Sequence, residues 1–277
     1  MLVDLQSILQ EMEQKRTAVG SFNTPNLEMV MGVVQAAEKN NCPVILMHAQ
    51  VHESIMPLDI IGPVMLAAAH RAKVPVCVHL DHGESIDYIE RAIQLGFSSV
   101  MYDGSSLAYE ENLTNTKKVV SIAHKAGVSV EAEIGVIGRG GEISRDRYTD
   151  PAVAKEFAAA AGIDALACAF GTAHGIYKKA PQLDFARLKA IRRATAMPLV
   201  MHGGSGVSFE DYRAAITCGV RKINYYTYMA KYVGETIRDR LAAMEGIPYY
   251  HDLVGWGREA ATAHAGKVMR VFSKEEP

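Results

Sequence analysis

The chain has 277 residues, 49% of them hydrophobic and 22% charged, with a formal net charge of −2. That composition suits a soluble globular protein with one large core. It excludes the basic excess of a protein that grips nucleic-acid phosphates, while leaving room for a small anionic ligand held by a local pocket. Cys42, Cys77, Cys168 and Cys218 are scattered with no C-x-x-C pair, which excludes a disulfide framework and a cysteine zinc site.

The opening residues mix charges with apolar positions at helical spacing, unlike a signal or transit peptide. No uncharged apolar run approaches the roughly 18 residues that a membrane span needs. A cytoplasmic enzyme or binding protein is expected. From there the chain alternates short apolar runs with longer amphipathic ones. The short runs are 18–23, 43–48, 75–81, 98–103, 128–133, 165–171, 198–203 and 222–225. They are rich in Val, Ile and Ala and apolar nearly throughout, as strands buried on both faces are. Segments 27–40, 85–96, 113–127, 151–162, 184–194 and 208–219 carry apolar residues at i, i+3, i+4 spacing, and several end in Gly, a helix stop. Eight strand–helix units in series predict an α/β fold, a (β/α)8 TIM barrel forming one domain over 1–277 with C-terminal helices. The rival, an open doubly wound sheet, would carry a glycine fingerprint after its first strand, where this chain has Ser21-Phe22-Asn23-Thr24-Pro25. The glycine-rich segment 135–147 reads as a mobile loop over a site, or as a plain surface loop.

A barrel of this kind places its site at the C-terminal ends of its strands. The polar residues there are Asn23 on the first strand, His79, Asp81 and His82 on the third, Asp103 on the fourth, Glu131 and Glu133 on the fifth, His174 after the sixth, His202 after the seventh and Asn224 on the eighth. Ten histidines are present, and three of these strand ends carry at least one. A divalent metal with three protein ligands and an open position is the arrangement of a catalytic zinc site. One strand-end histidine alone is more often a packing residue. Three with several carboxylates on the same rim favour a shared metal. His79 and His82 are both candidates and, three residues apart, should point to opposite faces of a regular strand. His48 and His52 are ambiguous. Gly203-Gly204-Ser205-Gly206 and Asn224-Tyr225-Tyr226-Thr227 follow the seventh and eighth strands, the usual phosphate site of this fold, where backbone N–H groups and a helix N-terminus can point at an anion. A metal beside a phosphate cradle suits a ketose phosphate and supports aldol cleavage, isomerisation or epimerisation. The only candidate Schiff-base lysine is Lys222, at the start of the eighth run, so a metal mechanism is favoured over an imine.

These residues resemble the class II, zinc-dependent ketose-bisphosphate aldolases, of the fructose- or tagatose-bisphosphate type. Phe22-Asn23, His79-Leu80-Asp81-His82, Ser99 to Gly104, Val130 to Gly135, Gly171-Thr172-Ala173-His174-Gly175, His202 to Gly206 and Lys222-Ile223-Asn224 run in that family's order. The resemblance implies zinc on His82, His174 and His202, with a monovalent cation nearby in some members. It implies Asp81 as the catalytic acid/base and Glu142 as the loop carboxylate that moves a carbon-bound proton. Asp103 and Glu133 match carboxylates of an alternative metal position or groups that orient the ligands. Asn23, Gly175, Gly203, Gly204, Ser205, Asn224 and Thr227 match substrate- and phosphate-binding positions. Arg258 matches an arginine that receives the far phosphate, often across a subunit interface. The implied function is reversible cleavage of a phosphorylated ketose to dihydroxyacetone phosphate and an aldehyde by a cytoplasmic homodimer or homotetramer, with no nucleic-acid or membrane partner. A sugar-phosphate epimerase or isomerase and a non-catalytic sugar-phosphate sensor are the alternatives. The chain departs from the family at Met47-His48-Ala49-Gln50, where Ser or Thr is common, at Tyr225-Tyr226, and at Arg139 within the loop glycines. These departures bear on the substrate.

Overall fold

A computed structural model describes residues 1–139 and 147–275. The chain opens with α1 (Leu5–Lys15), then runs through β1 (Val19–Asn23), α2 (Leu27–Lys39), β2 (Val44–Ala49), a short 3-10 turn (Gln50–His52), α3 (Leu58–Arg71), β3 (Val76–Gly83), α4 (Ile86–Leu95), β4 (Ser99–Tyr102), α5 (Tyr109–Lys125), β5 (Ser129–Ile134) and β6 (Gly138–Arg139). It continues with α6 (Pro151–Ala161), β7 (Ala165–Cys168), β8 (Ala173–His174), α7 (Phe185–Thr195), β9 (Leu199–Met201), α8 (Phe209–Thr217), β10 (Val220–Tyr225), α9 (Thr227–Ala243) and α10 (Tyr250–Phe272). Eight parallel strands close in the order β1, β2, β3, β4, β5, β7, β9, β10, with β10 returning to pair with β1. This is the (β/α)8 barrel expected from the sequence. The two-residue strands β6 and β8 form a separate parallel pair, Gly138 with Ala173 and Arg139 with His174, which the apolar pattern did not announce.

The strands read as continuously apolar because both faces are buried: outward side chains meet the helices and inward ones fill the barrel. The helices begin where short polar side chains can hold the first free backbone N–H groups. Asp4, Asn26, Ser85, Asp150, Asp184 and Ser208 each accept from such a group.

The barrel interior is layered. Val19, Ile45, Met47, Cys77, Met101, Ala165, Ala167 and Val200 pack with Leu5, Ile8, Leu9 and Met12 of α1 in one buried apolar cluster. Helix α1 thus plugs the N-terminal end of the barrel. The side-chain period of two then continues each strand toward polar residues. Cys77 is followed by His79 and Asp81, Val19 by Ser21 and Asn23, and Val200 by His202. On β5 the same alternation gives Ser129, Glu131 and Glu133, and on β10 it gives Lys222 and Asn224. Lys222 lies in the body of β10, two residues inside the strand, where the sequence placed it at the start.

Strand β3 breaks this alternation at one point. Its pairing with β4 slips between Leu80 and Gly83, and His82 takes a left-handed backbone with φ +48°. Non-glycine residues rarely adopt that conformation, and when they do the surroundings hold them there. The slip turns His82 to the same cavity as Asp81, which regular strand parity would forbid.

Candidate active site

A cavity of about 730 Å³ opens at the C-terminal end of the barrel, lined in part by Asp81, His82, Asp103, Glu133, His174, Gly203, Ser205 and Thr227. Asp81 is 3% exposed, and both of its oxygens are engaged. The amide of Asn23 donates to Oδ2 at 3.0 Å, and the amide of Asn224 donates to Oδ1 at 3.0 Å. The two asparagines assigned to substrate binding therefore hold the carboxylate in place. Burial alone would raise the Asp81 pKa, but the charges of His82, His202 and Lys222 and the Asn23 hydrogen bond outweigh it and hold it well below the usual carboxylate range.

Three imidazoles converge beside it. Ring centroids stand 5.0 Å apart for His82 and His174, 4.6 Å for His82 and His202, and 6.0 Å for His174 and His202. Each of the two rings nearest Asp81 has one nitrogen held by a carboxylate. His82 Nδ1 donates to Asp103 Oδ2 at 2.6 Å, and His202 Nε2 donates to Glu131 Oε1 at 2.7 Å. The remaining nitrogens, His82 Nε2 and His202 Nδ1, face each other at 2.9 Å. In neutral rings both would present lone pairs, and two lone pairs at that distance repel unless a cation stands between or beside them. The field there favours positive charge. Burial opposes ionisation of His82, yet Asp81, the hydrogen bond to Asp103 and the charge of Glu133 push its pKa up to about 10. Among the described residues, ligand atoms of His82, His174 and His202 lie within 4.8 Å of one another, as do those of His82, Asp103 and Glu133. Glu133 Oε2 is buried without a hydrogen-bond partner. Imidazoles oriented from behind by carboxylates, with bare nitrogens converging, are the donor set of a borderline-soft divalent ion such as zinc. The residues fit that group. Asp103 combines the two readings left open by sequence: it orients His82 and also belongs to a second potential ligand set.

Below this shell lies an ion pair that the sequence did not reveal. Lys222 Nζ is 2.9 Å from Glu131 Oε2 and donates to Asn224 Oδ1 at 2.8 Å. Glu131 and Lys222 are both fully buried. The lysine therefore fixes at once the carboxylate behind His202 and the asparagine behind Asp81. An amine so committed is a poor imine-forming nucleophile. The period of two along β5 and β10 was the available signal.

The loops after β9 and β10, put forward from the sequence for phosphate, both border the cavity. Gly175, Gly203, Ser205 and Thr227 all line the cavity. Ser205 Oγ accepts from the Tyr228 backbone N–H at 2.8 Å, tying the loop after β9 to the first turn of α9, which has no side-chain cap. Tyr177 accepts from the Ala173 N–H at 2.7 Å and donates to the Gly203 carbonyl at 2.8 Å, bracing the His174 segment against the same loop. Gly204 lies behind the lining, its carbonyl accepting from the Tyr212 hydroxyl. Arg258 is exposed on α10 and does not line the cavity of its own chain. Glu142 lies outside the described residues. The adjacent tyrosines divide their roles. Tyr225 is buried against Phe22 and Phe272 with its hydroxyl on His264, whereas Tyr226 packs on His52 at the cavity wall.

The profile of the family described as "Fructose-bisphosphate aldolase class-II" matches residues 3–276. The chain belongs to that family. It is therefore an aldolase, a carbon–carbon lyase, as the sequence led us to expect. It is 38% identical to a probable fructose-bisphosphate aldolase of Bacillus subtilis over 277 residues, covering 98% of this chain and 97% of the relative. It is 35% identical to the uncharacterized protein YdjI of Escherichia coli K12 over 279 residues, covering 99% of each. The crystal structure of the YdjI aldolase superposes with a TM-score of 0.89 at 34% identity, covering 98% of this aldolase and 97% of that chain. A putative fructose-1,6-bisphosphate aldolase from Coccidioides immitis gives 0.87 at 28% identity, covering 97% and 95%.

Proposed function

We propose that this aldolase is zinc-dependent and reversibly cleaves a phosphorylated ketose, with fructose and tagatose 1,6-bisphosphate as reference substrates, to dihydroxyacetone phosphate and an aldehyde. The observation that supports it most directly is the facing pair of imidazole nitrogens, each ring held from behind by a carboxylate, with His82 Nε2 3.9 Å from Asp81 Oδ1. His82, His174 and His202 would hold the zinc, which supplies Lewis acidity toward the ketone oxygen when bound.

This chain's own residues do the remaining work. Asp81, ionised and clamped by Asn23 and Asn224, takes the proton of the C4 hydroxyl as the C3–C4 bond breaks. The O–H electrons become the carbonyl of the departing aldehyde, the C3–C4 pair moves toward the ketone end, and a proton delivered to the former C3, with Glu142 as the donor, completes dihydroxyacetone phosphate. Gly175, Gly203, Ser205 and Thr227 hold the phosphate of the triose half through backbone N–H groups, a hydroxyl and the positive end of α9. Asp103 and Glu131 fix the tautomers of His82 and His202. Arg258, outside the cavity of its own chain, would reach a substrate only from a second copy in a homo-oligomer. A cytoplasmic location accords with a phosphosugar substrate; among the described residues no helix is long and apolar enough to cross a membrane.

A cleavage screen of ketose mono- and bisphosphates with zinc present tests this reading. Release of dihydroxyacetone phosphate from at least one ketose is expected. Interconversion of ketose phosphates with no triose released would contradict it in favour of an epimerase.

A further inference from the structure

Tyr225, one of the two phenols at which the chain departs from its family, has no part in cleavage as described. Its ring is 5% exposed and held between Phe22 and Phe272, at centroid distances of 6.0 Å and 6.4 Å, yet it borders the cavity together with Ser205 and Thr227. A buried phenol has to place its hydroxyl. Two side chains meet this one. His264 Nε2 of α10 lies 2.9 Å from it, and the Ser205 side chain hydrogen-bonds it from the loop after β9. Burial pushes the Tyr225 pKa up to about 12, so the phenol keeps its proton and has one hydrogen bond to give. Burial, with the charge of Lys267, lowers the His264 pKa, so that imidazole is neutral and its Nε2 serves as donor or acceptor according to the tautomer.

The hydrogen bonds of Ser205 decide which direction is useful. A hydroxyl has two acceptor sites and one proton. One acceptor site of Ser205 Oγ is filled by the Tyr228 backbone N–H at 2.8 Å. A phenol donating to the second site leaves the Ser205 proton free for the cavity that Ser205 lines. The donors then run one way: His264 Nε2–H to Tyr225, the Tyr225 O–H to Ser205, and the Ser205 O–H to an anion. Hydrogen bonds aligned head to tail in this manner strengthen one another. The reverse chain, with Ser205 donating to Tyr225 and Tyr225 to His264, spends the Ser205 proton on the protein and turns only lone pairs toward an anion.

We propose that Tyr225 and His264 are positioning residues for phosphate recognition, forming a relay that aims the Ser205 hydroxyl proton at the phosphate of the triose half. This deepens the reading in which Ser205 holds that phosphate, and rests on it. Neither residue of the relay touches the substrate: Tyr225 acts through Ser205, and His264 acts through Tyr225. The relay also ties the loop after β9 to α10, so the last helix of the chain takes part in setting the cradle.

The condensation direction reads this effect. Zinc-loaded enzyme is given dihydroxyacetone phosphate with D-glyceraldehyde or D-glyceraldehyde 3-phosphate, whichever wild type condenses faster. Tyr225→Phe keeps the ring and removes only the hydroxyl. It should raise the KM for dihydroxyacetone phosphate about five- to tenfold, with kcat and the KM for the aldehyde within about twofold of wild type. Ser205→Ala should raise the same KM about tenfold, and the double variant should lose no more than about twofold beyond it, because Tyr225 acts through Ser205. His264→Gln, whose amide can still donate to the phenol, should stay within about twofold of wild type, whereas His264→Leu should follow Tyr225→Phe. That pair carries the test should Tyr225→Phe fail to fold. An unchanged or lower KM in Tyr225→Phe, losses that simply add in the double variant, or an equal loss in kcat and in both KM values would each overturn the proposal. An unchanged KM in Ser205→Ala would remove the phosphate role of Ser205, and the relay with it. Failure of wild type to condense either aldehyde, together with no triose release from any ketose, would instead remove the aldolase reading itself.

Discussion

Asp81, the proposed base, is held by residues from β1 and β10. Asn23 on β1 and Asn224 on β10 occupy its two oxygens, and the positive groups around it keep it ionised despite burial. Asp81→Ala should cut turnover by about 10²–10⁴ while zinc stays bound, because none of the three histidines is touched. Steady-state rates together with metal content per chain check both halves of that expectation, and full activity would remove Asp81 from the mechanism. His48 offers a test of a different kind. It is buried on the outer face of β2, its Nε2 3.1 Å from the Tyr88 hydroxyl, and burial and the nearby His52 push its pKa down to about 4. Its folded pKa lies below the unfolded value, so the unfolded chain binds the proton first as pH falls. The contribution is present above about pH 6.5 and is lost progressively down to about pH 4. Between pH 7 and pH 5 this group alone should cost about 2 kcal/mol. Urea unfolding of the zinc-free protein at both pH values should show that loss in wild type and a smaller one in His48→Phe. Equal losses would contradict the assignment.

At the scale of elements, the site depends on strands that carry their polar residues at the right register and on loops that sit unusually close. Gly203, with φ +60°, ends the β9 segment; a Cβ there would stand 2.6 Å from the Ala173 carbonyl carbon and oxygen, which are backbone atoms. Gly203→Ala should therefore push the β9 loop away from β8, displacing His174 and the phosphate cradle together. The expected result is a rise of tenfold or more in the KM for dihydroxyacetone phosphate in condensation assays, with weakened zinc retention. An unchanged KM would show that the cradle lies elsewhere. Much of this arrangement was legible in the sequence. Buried parallel strands are apolar on both faces, so the eight runs stand out, and in a barrel the polar residue ending each run has to face the mouth. What was not legible depended on departures from regularity. The pairing slip in β3, with His82 in a left-handed backbone, puts His82 and Asp81 on one side, and no residue type announces it. The Glu131–Lys222 pair was written in the alternation of β5 and β10, but its partners are far apart in sequence and only barrel closure brings them together. The location of His52 depends on a 3-10 turn after β2, set by local backbone geometry more than by composition.

Over the whole molecule, stability and chemistry are separated along the barrel axis. The N-terminal end is closed by α1 and one buried apolar cluster, and the inward residues become polar toward the mouth. Leu9, 1% exposed in the α1 plug, packs at the end remote from Asp81. Leu9→Ala should destabilise the fold by about 2–5 kcal/mol through the cavity it leaves, with kcat per folded molecule unchanged. Urea denaturation and active-site-normalised rates separate the two effects; a kcat loss as large as that of Asp81→Ala would show that the plug is coupled to the site. The same division explains how a chain with net charge −2 can handle a phosphorylated sugar. In the proposed function, anion binding would fall to backbone N–H groups and a helix terminus at the mouth, which need no basic surface.

The central claim is that the three convergent histidines hold a zinc on which aldol cleavage depends. Chelator-stripped protein should release no dihydroxyacetone phosphate from any ketose phosphate, and addition of one equivalent of zinc per chain should restore release, with His202→Ala binding zinc at least tenfold more weakly. Undiminished triose release from protein verified free of metal would contradict the account.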